Sequence, residues 1–397
     1  MGNNFGGIVV KFTLSTKMSQ FQPSIFSELA QYKKQKMAEG KPIIDLSIGS
    51  PDLAPPSFIT KTLSEEVLKK DQYGYSLSGT KDFNKAVSSF YQKNYNVSLD
   101  FDNEVLLLMG SQDGLVHFPV VFADPGDVIL VPDPGYTAYA AGIAMAGAKP
   151  YFMPLKKENH FLPDLKMIPA EIAQKAKIMI LNFPGNPVPA LASKEYFKEV
   201  VEFAKKFHIL VLHDFAYSEL YYEGNKPISF LSIEGAKDIG VEMSSFSKNY
   251  NMAGTRIGYL AGNKQIVQAM NQLKSNLDYG VFLPVQQAAI RALKEGEAFC
   301  QENRKVYEER RNVLVSGLQD IGWKVTKPDA GMFIWAEIPK GWSSMDFTYA
   351  LIDHANVVVT PGHAFGPNGE GYVRIALVQE KDKLKEVVAS IYKSNIF

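Results

Sequence analysis

The run KIMILNFPGNPVPALASKEYFKEVVEFAKKFHILVLHD, Lys177–Asp214, carries a strand, a loop, a helix and a second strand in one continuous piece. KIMIL and ILVLH are short apolar runs of the kind buried on both faces of a sheet, and SKEYFKEVVEFAKKF between them, from Ser193 to Phe207, repeats its apolar residues at helical spacing. A strand, a crossover helix and a strand imply parallel pairing, so the fold class is α/β. Similar runs extend the pattern in both directions. VLLLM follows Glu104, VILV starts at Val128, YFMP at Tyr151, GVEMS at Gly240 and IGYLA at Ile257. Seven strands in a mostly parallel sheet are therefore expected between Val105 and Ala261. Ligands of such sheets bind beyond the carboxyl ends of the strands, so the residues just after each run carry the chemistry. From about Phe282 the pattern changes to long helices and then to shorter strands, GMFIWAEI and GYVRIAL. That change reads as a second, smaller α+β domain, joined by the proline-bearing strap PIIDLSIGSPDLAPP.

Composition narrows the function. With 397 residues, 46% hydrophobic and 21% charged, the chain can build one large or two ordinary globular cores. Lys+Arg and Asp+Glu both number 42, so no global charge favours nucleic acid or an anionic membrane. Partners are expected to be small molecules or a second copy of the chain. The single cysteine, Cys300, has no internal partner and reads as a helix packing residue, which fits a cytoplasmic setting. No apolar run approaches the length of a membrane span, and MGNNFGGIVV at the start lacks the order of a signal peptide.

The densest chemistry lies in SSFSKNYNMAGTRIGY, Ser244–Tyr259. Lys248 is a Schiff-base candidate, because a lysine attacks a carbonyl only when neutral and its neighbourhood can discourage protonation. Ser245, Ser247 and Arg256 offer hydroxyls and a forked cation to a phosphate, and Gly254 and Gly258 allow close backbone approach. A surface lysine in a polar loop is the alternative for Lys248 alone. GSQDG opens a helix after VLLLM, so Ser111 and Gln112 stand where a helix start binds anions. Asp214 ends the ILVLH strand and suits a protonated ring nitrogen, with Lys248 on a later strand of the same sheet; capping the next helix is its other role. Tyr217 follows three residues later, while His213, on the opposite face, reads as core. Asn186 sits in a proline-held loop, Tyr136 can stack on a planar group, and Arg374 inside GYVRIAL needs an anion. Neither GxxxxGK[ST] nor GxGxxG occurs in the required context, which removes the usual support for nucleotide and dinucleotide binding.

In this order, LSIGSPD, a DxxY strand end, FPGNP, SxSK with Arg eight residues on, and VRIA resemble the class I/II aminotransferases of the pyridoxal-phosphate fold type I superfamily. GSQDGL and SNLDYG lean towards the branch of LL-diaminopimelate and aspartate-type enzymes. The resemblance implies pyridoxal 5'-phosphate as cofactor, Lys248 as its Schiff-base residue and proton shuttle, and a ping-pong exchange of an amino group between an L-amino acid and a 2-oxo acid. It implies Asp214 on the pyridine nitrogen, with Tyr217 and Asn186 on the ring hydroxyl. Tyr136 stacks on the ring, and Ser111, Gln112, Ser245, Ser247 and Arg256 form the phosphate cup. Gly49 and Arg374 receive the substrate carboxylate. A homodimer is implied, in which Tyr75 reaches the neighbouring phosphate. NPVP replaces the more common NPTG. The implied division is residues 18–55 and 291–397 for the small domain, 56–290 for the large cofactor-binding domain, and 1–17 for an N-terminal extension. A β-lyase, decarboxylase or synthase would use the same lysine.

Overall fold

The structure is a computed structural model that describes residues 12–21 and 25–397, so residues 1–11 of the expected extension lie outside the described residues. Strands are numbered along the chain. β1 is Ile44–Asp45, β2 Val105–Leu108, β3 Val128–Asp133, β4 Lys149–Pro154, β5 Ala176–Leu181, β6 Leu210–Asp214, β7 Gly240–Ser245 and β8 Gly258–Gly262. β9 is Phe333–Glu337, β10 Val357–Val358, β11 Thr360–Pro361 and β12 Tyr372–Ala376. β2 to β8 form one sheet in the order β2-β8-β7-β6-β5-β3-β4, and these are the seven apolar runs read from the sequence.

The sheet is parallel except for β8, which runs antiparallel to both β2 and β7. Central strands β3 and β7 are buried along their whole length, as strands covered by helices on both faces must be. β4 is the edge, mostly exposed, with Pro150 and Pro154 on a strand that need not donate on its outer side. The helix Lys194–Phe207 buries Tyr196, Phe197, Val200, Val201 and Ala204 against this sheet. Ser193 caps it by accepting from the Tyr196 amide, and His208 ends it at φ +56°. His213 is a core residue, as read: its Nδ1 lies 2.8 Å from Glu242 Oε1 and its Nε2 3.2 Å from the Phe183 carbonyl. Cys300 is likewise buried on a helix.

A separate antiparallel sheet, β11-β12-β9, follows the long helices Leu283–Glu295 and Glu297–Asp320. Its apolar cluster includes Leu46, Tyr307, Phe333 and Ile375. β1 pairs in parallel with β10, and the Leu46 carbonyl accepts from Ala376, so the early strap is stitched to late strands. No helix among the described residues is long and apolar enough to cross a membrane.

Candidate active site

The carboxyl ends of β2, β3, β5, β6 and β7 lie along one edge of the large sheet. Because β8 is antiparallel, its first residue, Gly258, pairs with both Leu108 and Ser245 at that same edge. Arg256, two residues before Gly258, is thereby delivered beside the residues that follow β2 and β7. A cavity of about 250 Å³ results, lined by Ser111, Gln112, Tyr136, Asn182, Asn186, Asp214, Tyr217, Ser245, Ser247, Lys248 and Arg256, with Gly49 and Ser50 from the strap.

Lys248 lies on the one-turn helix Phe246–Asn249 after β7 rather than on a strand, which corrects the sequence reading. Leaving the strand turns its side chain across the sheet edge. Its Nζ donates to the Gly49 carbonyl. Burial, then the charges of Arg374 and Arg256, press its pKa from 10.5 to about 8, so a useful neutral fraction exists near physiological pH.

Asp214 is buried, and its Oδ2 accepts from the Tyr139 hydroxyl at 2.8 Å while Oδ1 accepts from the Ala216 amide at 3.3 Å. Burial lifts its pKa to about 6, against the opposing pull of these donors. The ordinary partner of such a group is a cation, and none is hydrogen-bonded to it among the described residues. Tyr139 was not singled out from the sequence; it lies on the helix Thr137–Ala146, whose N-cap is Tyr136, and the two rings are 5.8 Å apart. Asn182 was also missed. Its Nδ2 donates to the Asp214 carbonyl at 2.8 Å and its Oδ1 accepts from the Asn186 amide at 2.9 Å, which holds the FPGNP loop against β6.

The proposed phosphate end is built by backbone proximity. Gly110 precedes the helix Ser111–Phe122 at φ +80°, and a Cβ on it would fall 2.6 Å from Arg256 Nη2. A Cβ on Gly258 would fall 2.8 Å from the Ser111 amide and 2.7 Å from the Ser244 carbonyl. At Gly254 no protein atom lies within 4 Å of an added Cβ and the φ is ordinary, so the fold itself does not require a glycine there. Arg256 is held at φ +52° with Nη1 on the Ala253 carbonyl at 2.9 Å. Ser245 Oγ accepts from the Ser247 amide, and Tyr136 donates to Gln112 Oε1 at 3.1 Å.

Arg374, on β12, lies opposite. Its Nη1 donates to Asn186 Oδ1 at 2.7 Å, and its Nη2 to the Ser47 carbonyl at 2.6 Å and to Thr360 Oγ1 at 3.3 Å. The guanidinium lies over Phe333 and Phe365, and its buried Nε has no partner. Burial lowers its pKa to about 10, yet it remains a cation with no carboxylate hydrogen-bonded to it among the described residues, suited to an incoming one. Gly49 stands beside it, its added Cβ 3.5 Å from Arg374 Nη1. Tyr75 alone stands apart, 84% exposed and against the Tyr279 ring at 4.8 Å, outside this cavity of its own chain.

A buried carboxylate with no cation hydrogen-bonded to it among the described residues, a partly neutral lysine, and an arginine packed against the start of the helix Ser111–Phe122 together fit a phosphorylated pyridine aldehyde. Comparison with known proteins agrees. The family described as aminotransferase class I and II matches residues 41–391. The LL-diaminopimelate aminotransferase of Desulforudis audaxviator is 43% identical over 380 residues, 96% of this chain and 97% of the relative. The L-glutamine--4-(methylsulfanyl)-2-oxobutanoate aminotransferase of Bacillus subtilis is 41% identical over 389 residues, 98% of both chains. Substrate-bound BacF from Bacillus subtilis superposes with a TM-score of 0.93 at 38% identity, covering 97% of this chain and 98% of that one. With nearly the whole chain matched and the strand-end residues converging on one cavity, this protein belongs to the class I and II aminotransferases, pyridoxal-phosphate-dependent transaminases of fold type I.

Proposed function

We propose that the cavity between the β7–β8 edge and Arg374 is where this aminotransferase exchanges an amino group between an L-amino acid and a 2-oxo acid in two half-reactions. The observation that carries the assignment is the Lys248 amine, held at a pKa of about 8 between two cations and bonded to the Gly49 carbonyl. Bound pyridoxal phosphate supplies an aldehyde that captures the amino group and a ring that draws electrons from the α-carbon. Lys248 Nζ would take the proton from the α-carbon of the amino donor in one half-reaction and deliver a proton to the α-carbon derived from the 2-oxo acid in the other, which a group near neutrality does best. Asp214, ionised and oriented by Tyr139, would hold the proton on the pyridine nitrogen. Tyr217 and Asn186 would bond the ring hydroxyl, and Tyr136 would cover the ring face. Ser111, Gln112, Ser245, Ser247 and Arg256 would hold the phosphate through hydroxyls, helix-start amides and one fork. Arg374 grips the α-carboxylate, aimed by Asn186, with Gly49 leaving room beside it.

The exposed Tyr75–Tyr279 pair supports a homodimer in which Tyr75 completes the neighbouring phosphate site. The seven-stranded sheet, and the β1-β10 and β11-β12-β9 sheets apart from it, support a large domain of residues 56–290 and a small one of 18–55 with 291–397. The unpaired, buried Cys300 suits a cytoplasmic protein. The named relatives act on different donors, so the amino acid is not taken from them. The test is a mixture of glutamate or aspartate with 2-oxoglutarate or oxaloacetate, following amino transfer against release of ammonia or carbon dioxide. Transfer without gas or ammonia is expected from wild type and is lost in Lys248→Ala; ammonia or carbon dioxide release would instead favour a lyase or decarboxylase.

A further inference from the structure

A second cavity, of about 430 Å³, shares Gly49, Tyr136 and Asn186 with the first and has Arg374 in its wall. Phe26, Leu29 and Ala30, from the helix Ile25–Ala38, and Val358 make it apolar on one side. Among the described residues that line it, the only charged side chains are Arg374 and Lys33.

The two cations are tied to one strip of backbone. Lys33 Nζ lies 2.6 Å from Asp45 Oδ2, and Asp45 Oδ1 accepts from the Ser47 amide at 2.8 Å and the Ser47 hydroxyl at 2.6 Å. The Ser47 carbonyl then accepts from Arg374 Nη2 at 2.6 Å. Residues 45 and 47 are two apart, a span of roughly 7 Å if the chain is extended there. An ammonium carries three donors, so the single bond to Asp45 fixes the Lys33 head and leaves two N–H groups for a ligand. The ion pair is only partly buried, and such pairs contribute little to stability on their own.

We propose that Lys33 is a specificity residue that takes the distal carboxylate of a dicarboxylic 2-amino acid, while Arg374 holds the α-carboxylate and the apolar wall packs the methylenes between them. This rests on the transamination reading of the Arg374 site. Two cations facing one cavity favour a substrate with two carboxylates, so glutamate and 2-aminoadipate are better donors than the uncharged norleucine.

The experiment uses cofactor-loaded enzyme and one amino acid at a time, with no acceptor, following the change in cofactor absorbance during a single half-reaction. In Lys33→Met, kcat/KM for glutamate and 2-aminoadipate falls about tenfold or more, mainly through KM, as expected for losing a hydrogen bond to a charged group. Norleucine is unchanged or improved. Lys33→Arg keeps the preference for diacids. Calorimetric binding of glutarate reads the same contact without turnover and weakens by about tenfold or more in Lys33→Met. Thermal midpoints identify any variant that fails to fold, in which case Lys33→Gln replaces Lys33→Met with the same expected outcome. An unchanged ratio of diacid to norleucine, or equal glutarate affinity, overturns the proposal while leaving transamination intact. Conversion with no amino acid at all overturns the reading of the Arg374 site instead, and glutarate binding then still decides on Lys33.

Discussion

The Tyr139 hydroxyl donates to Asp214 Oδ2 at 2.8 Å, joining a helix and a strand end 75 positions apart in the chain. Both groups are buried, so the bond is made in surroundings where an unpaired carboxylate is costly. It favours the charged form of Asp214, the form that a protonated pyridine requires.

Tyr139→Phe removes that donor and leaves the ring packing in place. Apoenzyme titrated with pyridoxal phosphate is expected to bind about tenfold more weakly, the usual cost of losing a hydrogen bond to a charged acceptor. The bound cofactor's absorbance should also titrate at a shifted pH. Unchanged affinity together with an unchanged spectrum would reduce Tyr139 to a packing residue.

Asp214 predicts how the apoprotein responds to pH. Its pKa is 3.8 in the unfolded reference and about 6 when folded, so between these values the folded state holds the extra proton. Stability therefore falls as pH rises from about 4 to 6 and stays lowered above, by on the order of 3 kcal/mol. Apo Asp214→Asn is expected to melt above the apo wild type at pH 7.5 and level with it near pH 4. A constant difference across that range would contradict the assignment.

Gly258→Ala should be severe and Gly254→Ala mild, although both glycines flank Arg256. The first places a methyl against the Ser111 amide and the Ser244 carbonyl, backbone atoms that cannot swing away; the second meets nothing within 4 Å. Forced overpacking of this kind costs about 1–3 kcal/mol or more. Thermal midpoints and cofactor affinity of the two variants provide the comparison, and equal effects would show that the cradle is loose.

Arg374→Lys keeps a cation but loses the fork. Arg374 uses Asn186, Ser47 and Thr360 to fix its plane, an arrangement that a lysine cannot reproduce. A loss of about tenfold to a hundredfold in kcat/KM is expected for every amino donor, from 1.4–2.8 kcal/mol of lost transition-state contact. Cofactor affinity should stay within error of wild type. A loss of cofactor instead would place Arg374 in cofactor binding.

Much of the site could be read before the fold was known, because strand-end residues announce themselves by following short apolar runs. Asp214, Asn186 and Ser111 do so, whereas Arg256 precedes the β8 run, and the structure gathers all four around one cavity. Lys248 was found by its neighbours but assigned to a strand, since one turn of helix is too short to leave a period in the sequence. Tyr139 lay in view three residues after Tyr136, yet a tyrosine in a helix gives no sign of what its hydroxyl will meet.

Local patterning alone determined the seven strands, the covering helices and the residues at the strand ends, because side-chain periodicity and turn chemistry are properties of neighbouring residues. Only the tertiary structure decided that β8 runs backwards to carry Arg256 beside the ends of β2 and β7, that Tyr139 meets Asp214, and that Lys33, Asp45, Ser47 and Arg374 share one chain of polar contacts. Those contacts join groups as much as 327 positions apart. Their pairing is set by the packing of whole layers, which no short window of sequence contains.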